Sequence, residues 1–295
     1  MSVRARAEAR AAWGFVTPAL LLIGTFFFLP VAAGFLLSLT DFDIYAIASP
    51  HTARLVGLGN YRHVLLDPVF WKALGNTFFF VLVGGPISVA VSLAAALLLS
   101  SRLARAPGFY RSVYFMPVVT TLVAMAVVWR YLDHPRYGLL NHALSLIGIA
   151  PIDWLGDPRF AMPAIVLMSV WKNFGYNMLI LIAGLQRIPE ELNEAAVLDG
   201  AGWWARFRHV TVPSLMPMLI FVGIITMLGN FQLFAEPYVM TQGGPLKSTT
   251  TLVLLMYEEG FRWWRMGHAA AIAFLLFLVM LAGTLVQLRL RPETR

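Results

Sequence analysis

Polar and aromatic side chains stand within two apolar stretches of the chain, 161–185 and 213–234. Inside a bilayer such side chains are costly unless they face a cavity or a partner, so they are candidates for lining a path through the membrane. Amides and hydroxyls hydrogen-bond hydroxyl groups, and aromatic faces cover the apolar side of a sugar ring. These residue types therefore suit a hydroxyl-rich ligand. The polar residues of these two stretches include Ser169, Lys172, Asn173, Tyr176, Asn177, Asn230 and Gln232.

Spacing decides which of these side chains can act together. Asn173 and Tyr176 lie about one helical turn apart and so share a face. Asn230 and Gln232 are separated by two positions and point in different directions on a continuous helix. We therefore expect only one of the latter two, Asn230, to line the path.

Lys172 has three interpretations. Its ammonium could bind the phosphate group of a substrate, because an ionisable side chain within a span is a candidate for function. It could instead pair with an acidic side chain of a partner chain. Its long stem could also carry the charge to the outer membrane interface. The sequence leaves all three open.

No residue pattern predicts catalysis or metal binding. The chain has no cysteine, and its six histidines show neither H-E-x-x-H nor another close ligand spacing. A nucleotide-binding run of the type G-x-x-x-x-G-K-[ST] is also missing from the sequence, so this chain is not expected to bind nucleotide phosphates in that way. We therefore expect no catalytic residue, no metal site and no enzymatic activity.

Composition places these candidates in a membrane protein. Hydrophobic residues make up 59% of the chain and charged residues 13%, against about 25% charged in a soluble domain. The mean hydropathy is +0.73 and the isoelectric point is about 10.0. The basic residues are scattered over short flanks of apolar segments and form no single patch, so we expect a lipid bilayer and no nucleic acid as partner.

Six stretches are long enough to span a bilayer as helices, which takes about 20 mostly apolar residues. We therefore predict an all-α membrane protein with six transmembrane helices in a single domain over 1–295. The six stretches are 13–39, 73–100, 112–132, 161–185, 213–234 and 268–288.

Basic residues predict the orientation. Six spans put both termini on one side, and 12 of the 22 Lys and Arg residues lie on that side in short segments. Nine lie in the longer loops of the other side, where acidic residues such as Asp133 offset them. Because cytoplasmic loops are enriched in Lys and Arg, we expect cytoplasmic N- and C-termini in a multi-pass membrane protein.

The loop at about 186–213 carries the most distinctive pattern. Pro189 can open a helix, and the acidic residues after it favour the positive end of the helix dipole. Asp199-Gly200 should end this helix, since Gly reaches backbone angles closed to other residues. A second short amphipathic helix is expected from about Gly202 to Val210. The loop should therefore be a helix, a turn and a helix.

The order of residues in this loop resembles that of a known family. Segment 194–201 reads E-A-A-V-L-D-G-A, and 206–217 continues R-F-R-H-V-T-V-P-S-L-M-P. It resembles the coupling loop of permease subunits in binding-protein-dependent ABC importers, particularly those for sugars. Segments 57–61 (G-L-G-N-Y), 76–77 (N-T) and 241–245 (T-Q-G-G-P) also resemble that family, so the resemblance covers essentially the whole chain. The first of these favours the maltose and glycerol-3-phosphate permease-like group.

This resemblance implies a type I ABC importer fold, in which the loop lies along the membrane as a cytoplasmic coupling helix and seats in a groove of an ATPase. Glu194 would offer its carboxylate to a basic group there, and small residues would allow close seating. Gly200 would make the turn, and Arg206 with Phe207 would brace the second helix. The residues implied in coupling are Glu194, Ala195, Ala196, Asp199, Gly200, Arg206 and Phe207.

By the same resemblance the chain is expected to lie in the bacterial inner membrane and to translocate a sugar or oligosaccharide by alternating access. By their position relative to the coupling loop, five residues resemble sugar-contacting or cavity-lining positions of the maltose-type permease, namely Ser169, Lys172, Asn173, Tyr176 and Asn230. The implied partners are a second homologous permease subunit, two ATP-binding subunits, and an extracytoplasmic solute-binding protein that delivers the carbohydrate substrate. ATP and Mg²⁺ would be bound by the ATPase subunits, and no cofactor by this chain.

Other functions make different demands on the sequence. The same machinery could import glycerol-3-phosphate or a phosphorylated sugar, an alternative that Lys172 alone supports. A membrane-embedded enzyme would need convergent acidic, His or Ser groups at one depth. An ion-coupled secondary carrier would predict paired acids within the spans or inverted repeats. The spans contain almost no acidic residues, which disfavours both of these classes.

Overall fold

The computed structural model describes residues 3–48, 53–101 and 105–289, and the side chains of 3–11, 47 and 48 are not part of that description. Arg102, Arg291 and Arg295, which the orientation prediction counts, lie outside the described residues. The described helices are α1 (Ala12–Ser38), α2 (Ile44–Ala48), α3 (Gly59–Leu66), α4 (Pro68–Ser100), α5 (Pro107–Val119), α6 (Leu122–Leu132), α7 (Leu139–Leu146), α8 (Ala161–Leu185), α9 (Glu190–Leu198), α10 (Trp203–Phe231), α11 (Ala235–Met240), α12 (Leu252–Tyr257) and α13 (Met266–Arg289). The helix containing α1 begins at Val3.

Five of these helices are individually long and apolar enough to cross a membrane, namely α1, α4, α8, α10 and α13. A sixth span exists if the bent pair α5 and α6 is counted as one. The predicted span 112–132 is therefore wrong as a single continuous helix, because the two helices meet at an angle of 98°.

The break lies at Thr120 and Thr121, which both have extended backbone conformations. The Thr120 hydroxyl donates to the Pro117 carbonyl at 2.6 Å. A local side-chain bond of this kind competes with the hydrogen-bond ladder of a helix, and Pro117 itself has no N–H to contribute. Apolar composition across 112–132 conceals this interruption.

The chain forms two compact units, of which unit 1 comprises Met1–Asp67 with Met256–Leu275. In unit 1 the segment 57–61 fixes the end of α1. Asn60 Nδ2 donates to the carbonyls of Ser38 at 2.8 Å and Thr40 at 2.7 Å. Tyr61 Oη lies 2.7 Å from Ser38 Oγ. Gly57 has a φ of +56°, which turns the chain into α3. The G-L-G-N-Y segment therefore satisfies carbonyls that α1 leaves free.

Unit 2 comprises Pro68–Leu255 with Leu276–Arg295 and is organised around α8. Residues at both ends of α8 belong to hydrophobic clusters, one shared with α4, α6 and α11 and the other with α4 and α10. In the middle of the helix a Cβ on Gly175 would lie 2.0 Å from the Tyr114 carbonyl oxygen of α5. Ser92 Oγ of α4 donates to the Phe174 carbonyl at 3.0 Å. Small residues and hydroxyls thus bring three backbones close together, as membrane helices require.

Two distant family-like segments meet in unit 2. Asn76 Nδ2 donates to the carbonyls of Lys247 and Thr250, each at 2.9 Å. Thr77 Oγ1 accepts a hydrogen bond from the Leu252 backbone N–H at 3.0 Å. Lys72 Nζ donates to the Leu246 carbonyl at 2.7 Å. The start of α4 therefore holds the loop that follows T-Q-G-G-P. The prediction of one permease domain over 1–295 stays a prediction.

The close approach at Gly175 can be tested by adding a single methyl group. We expect Gly175→Ala to lower the free energy of unfolding by about 1–3 kcal/mol, because the methyl collides with the Tyr114 carbonyl and overpacking typically costs this much. Thermal unfolding of the protein in detergent measures it. Gly75→Ala in α4 is the matched control, since a Cβ there meets no atom within 4 Å among the described residues. Equal melting temperatures for both variants and the wild type would contradict the packing described.

Candidate functional site

A cavity of about 550 Å³ lies in unit 2, between α4, α8, α10 and α11. The middle of α8 forms one wall of this cavity, between the two hydrophobic clusters to which the ends of α8 belong. Apolar side chains such as Phe80, Leu122 and Ile225 form part of its wall. Its polar and titratable lining residues are Ser88, Ser169, Asn173, Tyr176, Asn177, Thr226, Asn230, Gln232 and Glu236.

Four of the five predicted path residues line this cavity, namely Ser169, Asn173, Tyr176 and Asn230. Asn173 Nδ2 donates to Ser169 Oγ at 3.2 Å, so the two side chains form one polar group on α8. Tyr176 is 50% exposed and presents its ring one turn further along. The helical spacing of Asn173 and Tyr176 correctly predicted a shared face.

Gln232 also lines the cavity, beside Asn230, although the spacing argument selected only one of the two. That expectation was wrong because α10 ends at Phe231 and Gln232 has a non-helical backbone with φ −93° and ψ 16°. Helical directions therefore do not apply beyond Phe231. A helix end within an apolar stretch leaves little trace in the sequence.

Sequence reasoning assigned no ligand role to Ser88 and Thr226. Ser88 stands among small and apolar residues of the second span, and Thr226 stands in a run of apolar residues. In the structure Thr226 Oγ1 accepts a hydrogen bond from Asn177 Nδ2 at 3.0 Å, which joins α8 to α10 along the cavity wall. No local sequence signal distinguishes such a cross-helix pair.

A π-helical turn at Phe80–Gly84 borders the cavity. Such turns occur frequently at functional sites because they displace the helix surface. Directly after the turn, a Cβ on Gly85 would lie 3.3 Å from Asn230 Nδ2. The missing side chain at Gly85 thus leaves room for the Asn230 amide.

Lys172, the fifth predicted path residue, is not among the residues that line the cavity. Its side chain is buried, and its Nζ lies 3.5 Å from the Val118 carbonyl oxygen in the last turn of α5. The final carbonyls of a helix lack intrahelical partners and attract cations. Lys172 therefore caps the end of α5 where the broken span bends. It also interacts electrostatically with Glu236 of α11.

The loop at 186–213 begins as expected with a helix, α9, with Glu190 and Glu191 in its first turn. The helix ends in a Schellman motif. Ala201 N–H donates to the Ala196 carbonyl at 2.9 Å, and Gly200 N–H donates to the Val197 carbonyl at 3.0 Å. Gly200 has a φ of +76°, the left-handed conformation that this motif requires. The turn-forming role assigned to Gly200 thus has a defined hydrogen-bond geometry.

The second half of the loop differs from the expectation. The predicted short helix from Gly202 to Val210 does not end there, because Trp203 begins a helix that continues through a π-helical turn at Phe207–Thr211 into the fifth span. A π turn accommodates one extra residue without ending the helix. The loop is therefore rigidly joined to α10.

Aromatic rings pack along the start of α10. The Phe207 ring stacks on Trp203 with centroids 5.6 Å apart, and lies 5.4 Å from Trp204. Neighbouring positions of α9 present Glu194 and Ala195 to the exterior, and Leu198 is 88% exposed. The exposed residues before and after the turn thus carry carboxylate, methyl and aromatic groups. Arg206 Nε is buried without a hydrogen-bond partner among the described residues.

Asp133 is a further titratable group in unit 2, and sequence reasoning assigned it only to the charge balance of an outer loop. It caps α6 and is 1% exposed, and neither carboxylate oxygen has a hydrogen-bond partner in the described part of the chain. Burial without compensating bonds disfavours the charged form, and it raises the pKa of Asp133 to about 7. Asp157 contrasts with it, because hydrogen bonds from Arg159 lower its pKa.

Comparison with known proteins gives consistent similarities. The family described as "binding-protein-dependent transport system inner membrane component" matches residues 89–295. The lactose transport system permease protein LacF of Rhizobium radiobacter is 36% identical over 93% of this chain and 92% of its own length. The trehalose/maltose transport system permease protein MalF of Thermococcus litoralis is 35% identical over 96% of this chain and 94% of its own.

A solved structure shares the fold. A chain of a bacterial ABC transporter involved in the import of the acidic polysaccharide alginate superposes with a TM-score of 0.77. The match covers 98% of this chain and 99% of the other, at 18% sequence identity.

Ionisation of Asp133 should make stability depend on pH. Its pKa is about 7 in the folded protein, whereas the ordinary pKa of an aspartate side chain is 3.8, so the folded state binds the proton more tightly than the unfolded state. Stability is then greatest below about pH 4 and is lost as the pH rises to about 7. We expect Asp133→Asn, which cannot ionise, to melt at a higher temperature than wild type at pH 8 and at a similar temperature at or below about pH 4.

Thermal unfolding in detergent across this pH range measures the effect. Asp157→Asn is the control, because that carboxylate has a lowered pKa and its removal should bring no gain at pH 8. Parallel pH profiles for wild type and Asp133→Asn would contradict the assignment.

Proposed function

Because the chain belongs to the family of inner membrane components of binding-protein-dependent transport systems, we propose that it is the permease subunit of an ATP-driven ABC importer for a sugar or oligosaccharide. The family resemblance and the all-α type I permease fold predicted from the motifs are confirmed. The chain is thus a component of the inner membrane.

The residues that line the cavity are the main support for a sugar as the substrate. Amides and hydroxyls from α8 and α10 converge on a space of about 550 Å³ that also holds the Tyr176 ring and several apolar walls. This volume falls within the range of small-molecule sites, and the mixture suits a molecule with hydroxyl groups around apolar ring faces. Relatives named for lactose and for trehalose/maltose transport support the same class.

Ser169, Asn173, Tyr176 and Asn230 are proposed to contact the sugar as it crosses. Lys172 is proposed to support the path indirectly, since it caps α5 behind the cavity wall. The alternative of glycerol-3-phosphate or a phosphorylated sugar depended on Lys172 as a phosphate ligand. Because the ammonium is not among the lining groups, this alternative loses the residue that supported it.

Coupling to ATP hydrolysis is proposed to pass through α9 and the turn at Gly200. The exposed surface around Glu194, Ala195 and Leu198 could seat in a groove of an ATPase. A push on this surface would reach the cavity, because the turn joins α9 to the same α10 helix that carries Asn230. Alternating access would follow when such movements open the cavity to one side at a time.

The proposed complex contains a second homologous permease subunit, two ATP-binding subunits that hold ATP and Mg²⁺, and an extracytoplasmic solute-binding protein. Both termini of this chain are proposed to be cytoplasmic, which puts the coupling loop on the ATPase side. ATP hydrolysis belongs to the partner subunits in this proposal.

The coupling role can be tested by co-purification of the tagged chain with its ATPase and permease partners. We expect Gly200→Asp and Glu194→Lys to lose most of the bound ATPase, on the order of 10-fold, because the first strains a φ of +76° and the second reverses an exposed charge. Gly202→Asp is the matched control. Gly202 has a φ of −67° and opens α10, a position that favours Asp.

ATPase retained equally by wild type and by both coupling variants would contradict coupling through this turn. Loss with Gly202→Asp as well would indicate a general sensitivity to charge and would not identify Gly200.

The substrate path can be tested by ATP-driven uptake of labelled maltose, lactose and trehalose into proteoliposomes that contain the whole complex. We expect Asn173→Leu and Tyr176→Leu to reduce uptake of the transported sugar about 10-fold or more, since each removes a hydrogen-bonding group from the cavity. Tyr131→Leu is the control, because that tyrosine is also exposed on a helix but does not line the cavity. Unchanged uptake in both cavity variants would exclude the proposed path.

A further inference from the structure

Glu236 supplies the carboxylate in the wall of the cavity, and no Lys, Arg or His side chain of the described residues lines it. The carboxylate belongs to the first turn of α11, and Glu236 is only 7% exposed. All other polar lining groups are hydroxyls and amides. A ligand in the cavity therefore meets one acidic side chain and otherwise hydroxyls and amides.

The compensating positive charge lies behind this wall. Lys172 is 6% exposed, does not line the cavity and interacts electrostatically with Glu236. Its Nζ is held 3.5 Å from the Val118 carbonyl at the end of α5, where the helix dipole favours a cation. Burial of either charge alone would be costly, so each member stabilises the other in its position. Of these two residues, only the acidic one lines the cavity.

We propose that Glu236 is a specificity-determining residue that makes the cavity accept uncharged sugars and reject anionic ones. The inference rests on the proposed function, since it concerns the substrate of the same site. A substrate phosphate would come close to the Glu236 carboxylate without a cation in the cavity wall to offset it. Two like charges about 6 Å apart at an effective dielectric constant of ~20 repel enough to lower an affinity by on the order of 100-fold.

The charge pair also predicts how selectivity changes. Removing the charge of Glu236 leaves the Lys172 ammonium as the nearest uncompensated charge, and the cavity becomes attractive to anions. Removing both charges leaves a neutral wall, which discriminates by neither attraction nor repulsion. Keeping the carboxylate on a shorter stem, as in Glu236→Asp, preserves the repulsion.

The test is equilibrium binding to the assembled permease and ATPase complex in lipid nanodiscs, without the solute-binding protein, so that selection occurs in the membrane subunits. The probes are maltose, lactose and trehalose, each paired with its own monophosphate. We expect wild type and Glu236→Asp to prefer the uncharged member of a pair by about 10-fold or more. In Glu236→Gln the ratio of the affinity for the uncharged sugar to that for its monophosphate should be at least about 10-fold lower than in wild type. In Lys172→Met/Glu236→Gln this ratio should lie between the wild-type value and the Glu236→Gln value.

An equal ratio in wild type and Glu236→Gln, or a wild type that prefers a monophosphate, would overturn the proposal while leaving sugar transport intact. If Glu236→Gln fails to fold because of its unpaired ammonium, the double variant decides, and an unchanged ratio there overturns the proposal. Binding of none of the six probes to wild type or to any variant would contradict the proposed function itself, together with the inference that rests on it.

Discussion

The need to satisfy polar groups on α8 inside the protein is the constraint on which unit 2 depends. A membrane offers no water to an amide or an ammonium, so these groups must find partners on neighbouring helices. The Asn177 amide donates to the Thr226 hydroxyl of α10, and the Lys172 ammonium lies beside a carbonyl at the end of α5. The Phe174 carbonyl accepts a hydrogen bond from Ser92 of α4. Each bond ties a different helix to α8, and Gly175 permits the approach of α5. The polar groups left facing inward then define the cavity.

The same arrangement links the two functional regions. The α10 helix runs from the coupling turn to Asn230 in the cavity wall. It contains the π-helical turn Phe207–Thr211 near its start. The other π-helical turn, Phe80–Gly84, belongs to α4. The α4 turn borders the cavity and the α10 turn joins the loop to the span. Two hydrogen bonds end α9 at Gly200, and α10 begins at Trp203 directly after this turn. In the proposed mechanism a displacement of the loop passes through this short connection to α10. Structure and proposed mechanism therefore depend on one continuous helix.

Local patterns in the sequence predicted much of this architecture, and long-range contacts explain what they missed. The span 161–185 was predicted with the bounds that α8 has, since its apolar stretch is uninterrupted. The break at Thr120 and the end of α10 before Gln232 arise within apolar stretches, where composition carries no signal. Lys172 could not be placed because its partners, Val118 and Glu236, lie 54 and 64 positions away in the chain. The Schellman turn at Gly200 was predictable because all its bonds are local.

The absence of cysteine from the chain offers a direct test of the central claim, that the cavity is a substrate path with alternating access. Tyr176→Cys would place a single thiol in the cavity wall, and a membrane-impermeant maleimide applied from the extracytoplasmic side would report its accessibility in the reconstituted complex. The account predicts that the labelling rate differs severalfold between the ATP-bound and nucleotide-free states and that a transported sugar slows it. A labelling rate that is the same in both states and with or without sugar would contradict the account.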